Sequence, residues 1–203
     1  IGGYGYLWQA WFDSSGTLYE SVSVRVDTSY GRRLQRYRME AIPLRSDTLP
    51  RYPCDSVALA SPTAPNYYRT PRGYMDVPFM ISPVRAIDPN VGAWCATGER
   101  YGLHQVTLDD HPTGVVVHGS RPPTPVSVAE RDSAIAKVRR FFEQTGGANP
   151  DLSRIPSEKP VIRSLQVDAV GRLWAGVNSS DGGSAWDLFD VAGRPLSTAT
   201  AWS

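Results

Sequence analysis

The three histidines of this chain, His104, His111 and His118, recur every seven residues, and imidazole is the side chain best suited to proton transfer or metal ligation near neutral pH. A hairpin centred on His111 would set His104 and His118 opposite one another on one face, with Asp109 and Asp110 at its turn. Two imidazoles and a carboxylate are ligands that zinc accepts. The pairing hangs on strand register, and a one-residue slip destroys it. His104 and His118 are therefore weak metal candidates, and histidines satisfied within a sheet are the reading adopted. Cys54 and Cys95 are the only cysteines. Without a Cys-x-x-Cys spacing they are two inert core thiols in a reducing compartment, or one bridge closing a long loop outside it. Asn178-Ser179-Ser180 fits a glycosylation acceptor. His-Glu-x-x-His, a Gly-x-Ser-x-Gly elbow, a P-loop and an EF-hand loop do not occur. Gly2, Gly3 and Gly5 precede a strand and so cannot form the phosphate cradle of a helix start. The expectation is a non-enzyme that carries no cofactor.

The elements that position these residues follow from composition and period. With 203 residues and 41% apolar side chains, including six Trp and ten Tyr, the chain can bury a core and is not a disordered linker. No run approaches the ~18 to 20 apolar residues of a spanning helix, and no charged-then-apolar leader opens the chain. A start at Ile1 is what a processed or cut chain shows. The net charge of +1 gives no field for nucleic acid or an anionic bilayer. The average hides a basic end. Arg25, Arg32, Arg33, Arg36, Arg38, Arg45 and Arg51 face only Asp27, Glu40 and Asp47 between residues 25 and 51.

Tyr4, Tyr6, Trp8 and Ala10 alternate along a strand, and Val22, Val24 and Val26 mark its return after a turn at Asp13-Ser-Ser-Gly16. A third strand is expected near 35–42, with Arg36 and Arg38 on its solvated side. Residues 1–52 thus form one sheet unit. Residues 53–83 read as a long irregular loop, since recurrent prolines from Pro43 to Pro89 oppose helix and central strand. Its Tyr67, Tyr68, Arg69, Arg72, Tyr74, Met75, Phe79 and Met80 match the composition of interface centres, and the alternative is that they tuck the loop onto its own sheet. Four short strands fit residues 84–119 and four more fit 161–203. Between them, residues 120–160 hold a Pro-rich spacer and a helix over about 128–144. There Ser127 and Glu130 make a capping box, Ala134, Ile135, Val138, Phe141 and Phe142 share a face, and Gly146 closes the end. Arg139 and Arg140 are placed in its last turn, and the spacer is expected to lay the helix against the sheets.

Asp168-Ala-Val-Gly171-Arg172-Leu173-Trp174 and Asp190-Val-Ala-Gly193-Arg194-Pro195-Leu196 repeat one hairpin signature, with looser copies at Asp88 to Trp94 and Asp13 to Gly16. On these residues, on Trp186-Asp187-Leu188-Phe189-Asp190, and on the Arg121-Pro-Pro-Thr-Pro-Val-Ser-Val-Ala-Glu-Arg-Asp132 approach to the helix, the chain resembles the secreted six-bladed β-propeller proteins of bacteria related to NHL-repeat and TolB-like propellers. The likeness is best over residues 84–203. It implies a mainly β fold of antiparallel propeller-type blades with one amphipathic helix, and an extracytoplasmic, periplasmic or secreted location. Blades of ~40 to 45 residues leave room for about three, an incomplete ring whose open faces need a cover. The resulting expectation is a non-catalytic scaffold or accessory subunit docked on a larger protein complex, including one embedded in a membrane, and itself without a transmembrane segment. Its contact surfaces would be the Tyr67–Met80 loop, Arg32, Arg33, Arg36 and Arg38, and the aromatic N-terminal strand. The alternative is a ligand-binding or metal-dependent hydrolytic propeller using His104 and His118.

Overall fold

The computed structural model describes residues 10–26, 29–38, 45–56, 66–178 and 184–201. Tyr4, Tyr6 and Trp8 of the expected first strand, Gly2, Gly3 and Gly5, and residues 39–42 of the expected third strand lie outside them. Three four-stranded antiparallel sheets organise the chain, each with its strands in sequence order. The first contains β1 (Ala10–Phe12), β2 (Leu18–Val26), β3 (Ser29–Arg38) and β4 (Arg45–Thr48). After a two-stranded hairpin, β5 (Tyr67–Thr70) and β6 (Gly73–Asp76), the second contains β7 (Val84–Asp88), β8 (Gly92–Ala96), β9 (Gly102–Val106) and β10 (Pro112–His118). A short pair, β11 (Thr124–Pro125) and β12 (Glu158–Lys159), brackets helix α1 (Val128–Thr145). The third sheet follows as β13 (Ile162–Val167), β14 (Leu173–Asn178), β15 (Ser184–Phe189) and β16 (Pro195–Ala201). The architecture is mainly β and antiparallel.

One turn chemistry recurs because one side chain closes it. Asp13, Asp168 and Asp190 each accept, on Oδ1, the backbone N–H groups two and four residues ahead, at 2.9 to 3.1 Å. The glycine three residues ahead takes φ of +76° to +83°, a left-handed geometry that favours glycine. Thr107 to His111 is a further copy that the sequence conceals. Thr107 Oγ1 accepts from His111 N–H at 3.0 Å, and Asp110 holds φ +71° where the others have glycine. In an up-and-down sheet the first and third connections share one end, so these turns line one end of the stack. Asn90 of the second sheet reaches the first there, its Oδ1 accepting from Ser14 N–H at 2.7 Å.

The second sheet is buried on both faces, as the alternation along β8 shows. Trp94 and Ala96 point with Ala86 and Leu103 into a core shared with Leu165, Leu173, Ala175, Val177 and Phe189 of the third sheet. Ala93 and Cys95 point the other way with Ile87 and Val106, into a core shared with Leu34, Trp11, Leu49 and Tyr52 of the first sheet and its exit segment. The sheets therefore stack head to tail. In the first two sheets a front face, marked by the aromatic six residues after the turn aspartate (Tyr19, Trp94), meets the back of the next sheet, and Trp174 holds the same place on the third. β3 begins at Ser29 and runs to Arg38, earlier than the strand expected over 35–42, because it pairs along the whole of β2.

The long connections between sheets leave from the end opposite the tight turns, and there they meet. Within the loop expected over 53–83, residues 66–83 are built around the β5–β6 hairpin: Pro71 sits in its turn, and strands of four residues fit between the prolines that exclude longer ones. The helix does not lie on the large sheets as expected. Its buried face, Ala134, Val138 and Phe142, packs on Tyr68, Val77 and Ile155, with Met75, Phe79 and Met80 alongside. The hairpin supplies the apolar surface the helix needs, so the two insertions complete each other. The helix runs to Thr145, which puts Arg139 and Arg140 a turn short of its end, and Gly146 caps it at φ +71°.

The capping box is coupled to the β11–β12 clasp. Glu130 accepts from Ser127 N–H at 3.0 Å and from the nearly buried Lys159 Nζ at 2.5 Å. Lys159 first, and then the Ser127 bonds, hold the Glu130 carboxyl down at about 2. A depressed carboxyl stabilises the fold above its unfolded value of 4.5 and loses that contribution as pH falls towards about 2. Thermal melts followed by helical circular dichroism should weaken across that window, and Glu130→Gln should remove most of this pH dependence. An unchanged acid profile in the Glu130→Gln variant would refute the coupling.

Candidate interaction surface

The hairpin divides the aromatic and basic side chains of the 67–80 segment by strand alternation. Tyr68 and Thr70 turn inward; Tyr67 and Arg69 turn outward, opposite Asp76 and Tyr74 of β6. Tyr68 is 2% exposed. It stacks edge-on against Phe142 at 5.6 Å, donates its hydroxyl to Asp151 O at 2.9 Å and lies beneath Arg154. Burial raises its pKa, against the Arg154 charge that lowers it. Met75 and Phe79 pack partly on the same core. Tyr68 thus holds the hairpin in place, and the half-buried Met75 and Phe79 do so with part of their side chains. Tyr67 and Tyr74 remain 40% and 63% exposed, as an edge-to-face pair 5.3 Å apart. Arg69 lies over the Tyr74 ring at 5.7 Å, and Arg72 projects from the turn. This is a shallow patch of aromatic rings with cations, anchored from behind by a packed core.

The basic strand is tied up differently from the solvated face expected for it. Arg36 forms a two-pronged ion pair with Asp47 on β4, its Nε at 2.9 Å, which lowers the Asp47 carboxyl and raises Arg36. Arg33 Nη1 donates to Arg32 O at 2.7 Å and lies 3.9 Å from Asp55. Arg38 stands opposite Arg45. Asp55 and Asp47 thus engage Arg33 and Arg36.

His104 and His118 miss direct opposition by two residues, because the hairpin centres on Asp109, with Pro112 opposite Val106, and not on His111; a bulge in β10 takes up part of the offset and leaves Val116 opposite His104 and His118 opposite Gly102. Their rings meet edge to face at 6.4 Å. Asp109 sits with His111 instead, at 3.5 Å. Among the described residues no group of three or more His, Cys, Asp or Glu side chains is placed to hold a metal. Cys54 and Cys95 are joined by a disulfide, which ties the exit of the first sheet to the centre of the second. Asn178 donates its side-chain amide to Pro160 O at 2.7 Å, and residues 179 and 180 of that acceptor motif lie outside the described residues.

A polar cluster not anticipated from the sequence sits between the second and third sheets. Asp187 Oδ2 accepts from Tyr101 Oη at 2.7 Å and Arg121 Nε at 2.9 Å, while Oδ1 accepts from Arg121 Nη2 at 2.5 Å and Thr198 Oγ1 at 2.9 Å. Burial pushes the Tyr101 phenol up, and the Asp187 carboxylate pushes it further. Cavities of about 780 and 460 Å³ open on either side, sharing Tyr101, Gly119, Ser120 and Arg121 as a partition. The signal was available: Asp187 lies between Ala185 and Phe189 at a core-facing strand position, where a carboxylate needs a cation. Its partner, 66 residues away, was not readable. Compared with protein-family models, curated proteins and solved structures, the chain matches none.

Proposed function

We propose that this chain is a non-catalytic interaction module: a propeller-type stack of antiparallel sheets that docks onto a larger protein assembly outside the cytoplasm. The observation that carries the reading is the hairpin patch. Tyr67, Arg69, Arg72 and Tyr74 stay outside although an apolar core lies directly behind them. Tyr and Arg are the residue types that concentrate binding energy at interface centres, and an anchored hairpin spends little ordering entropy on contact. The Cys54–Cys95 bridge supports the location, since structural disulfides persist in oxidising compartments. No helix of the described residues is long and apolar enough to cross a membrane, so membrane proximity would come through the assembly. Head-to-tail stacking of sheets with one turn signature supports the propeller-type reading.

Native mass measurement of the assembly isolated from its source should find this chain bound to other subunits. Tyr67→Ala with Tyr74→Ala should weaken that association by roughly 30-fold per hot-spot residue, about 2 kcal/mol each, without moving the melting temperature. Recovery of the unaltered chain at its own mass alone would sink the reading.

A further inference from the structure

The third sheet ends the described stack with an uncovered front face, and the stack itself shows what such a face receives. Aligning the turns on their first residues matches Trp174 to Trp94 and Trp186 to Leu103. Trp94 and Leu103 are 2% and 0% exposed because the back of the third sheet covers them. The contact includes the tight turn of that sheet: a Cβ added to Gly193 would lie 3.3 Å from the Trp94 ring. Trp174 and Trp186, by contrast, are only half-buried, 6.4 Å apart edge to face with Leu188 beside them, and Arg172 and Arg163 lie over their rings.

The complementary surface is present on the same chain. Phe12 and Leu18 of the first sheet occupy the positions of Ile87 and Ala93 in the second, which are buried against a preceding sheet. Phe12 is 65% exposed, Leu18 is half-buried, and Glu20 and Val22 extend the same face. Arg163 and Arg172 flank the front, where Asp168 pairs with Arg172, and the back carries Glu20, with Arg33 on the same face opposite Val22.

We propose that the Trp174/Trp186 face is an interface for a second copy of this chain, receiving the back of that copy's first sheet around Phe12 and Leu18. A two-fold pair makes this contact twice and leaves neither terminal face open. Four strands ~4.8 Å apart and about six residues long at ~3.3 Å each present roughly 400 Å². The two contacts then cover about 800 Å² per chain, the size of a standard stable interface. The inference is independent of the hairpin docking, since the hairpin belongs to the other packed body.

The experiment is light scattering on the purified, disulfide-intact chain at tens of micromolar. The expected mass is twice the 22.3 kDa of one chain. Phe12→Glu on the back and Leu188→Lys on the front should each weaken the dimer at least tenfold with circular dichroism unchanged. Combining both in one chain should restore it, because the contact joins front to back. Tyr67→Ala with Tyr74→Ala should leave the dimer intact, which separates this result from the fate of the docking proposal. A monomer across that concentration range overturns the proposal, as does a dimer indifferent to both charged substitutions. Should either charged variant unfold, acrylamide quenching of tryptophan in the unaltered chain decides: quenching that fails to fall with rising protein concentration also overturns it.

Discussion

Asp187→Ala should destabilise the chain by about 3 kcal/mol in urea unfolding, the low end of the ~3 to 5 kcal/mol found when one partner of a buried ion pair is removed. The low end applies because the Arg121 side chain is 33% exposed, whereas Asp187 is 10% exposed, so water recovers part of the loss. The cost is a stranding cost. Without the carboxylate, the Tyr101 hydroxyl and the Arg121 guanidinium lose their acceptor at the seam between two sheets. Asp187→Asn retains an acceptor oxygen and should cost less, about half as much. A double-mutant cycle with Arg121→Ala is the decisive measurement: the double variant should lose less than the sum of the singles, since removing both charges leaves neither buried alone. Additive losses would show that the pair contributes nothing as a pair.

Cys54→Ser with Cys95→Ser should cost about 4 kcal/mol, from the entropy an open loop regains in the unfolded chain when 41 residues separate the linked positions. Guanidinium unfolding of the oxidised chain against the double variant reads this directly. Cys95 is fully buried in the doubly covered sheet and Cys54 lies in the exit segment from the first sheet. Loss of the bridge should therefore release the contact between the first two sheets before the seam around Asp187. Hydrogen exchange should show β2 and β3 losing protection ahead of β14 and β15. Equal loss everywhere would mean that the chain unfolds as a single unit.

Strand order and turns were legible in this sequence because they are local: an aspartate, a glycine and a period-two run determine them together. The capping box and the closing Gly146 of α1 were legible for the same reason. Partners at long range were not. Nothing near Phe141 or Phe142 says that the helix will pack on a hairpin far earlier in the chain, and prolines that oppose long strands do not oppose strands of four residues. Asp110 was legible as a turn residue, but the roles of Thr107 and Asp110 were not, because a hydroxyl replaces the usual carboxylate and an aspartate takes the left-handed place of glycine. Of the interface residues read from composition, alternation in β5 and β6 kept Tyr67, Arg69 and Tyr74 outside and drew Tyr68 in. Composition marked the segment, and only pairing could sort it.

The helix and the hairpin share one small core although they lie in separate connections of the chain. Losing either alone would expose the apolar half of the other, so neither is a viable deletion by itself. Descendants of this sequence are expected to keep both or drop both in a single event, and the two insertions form one heritable unit written in two places.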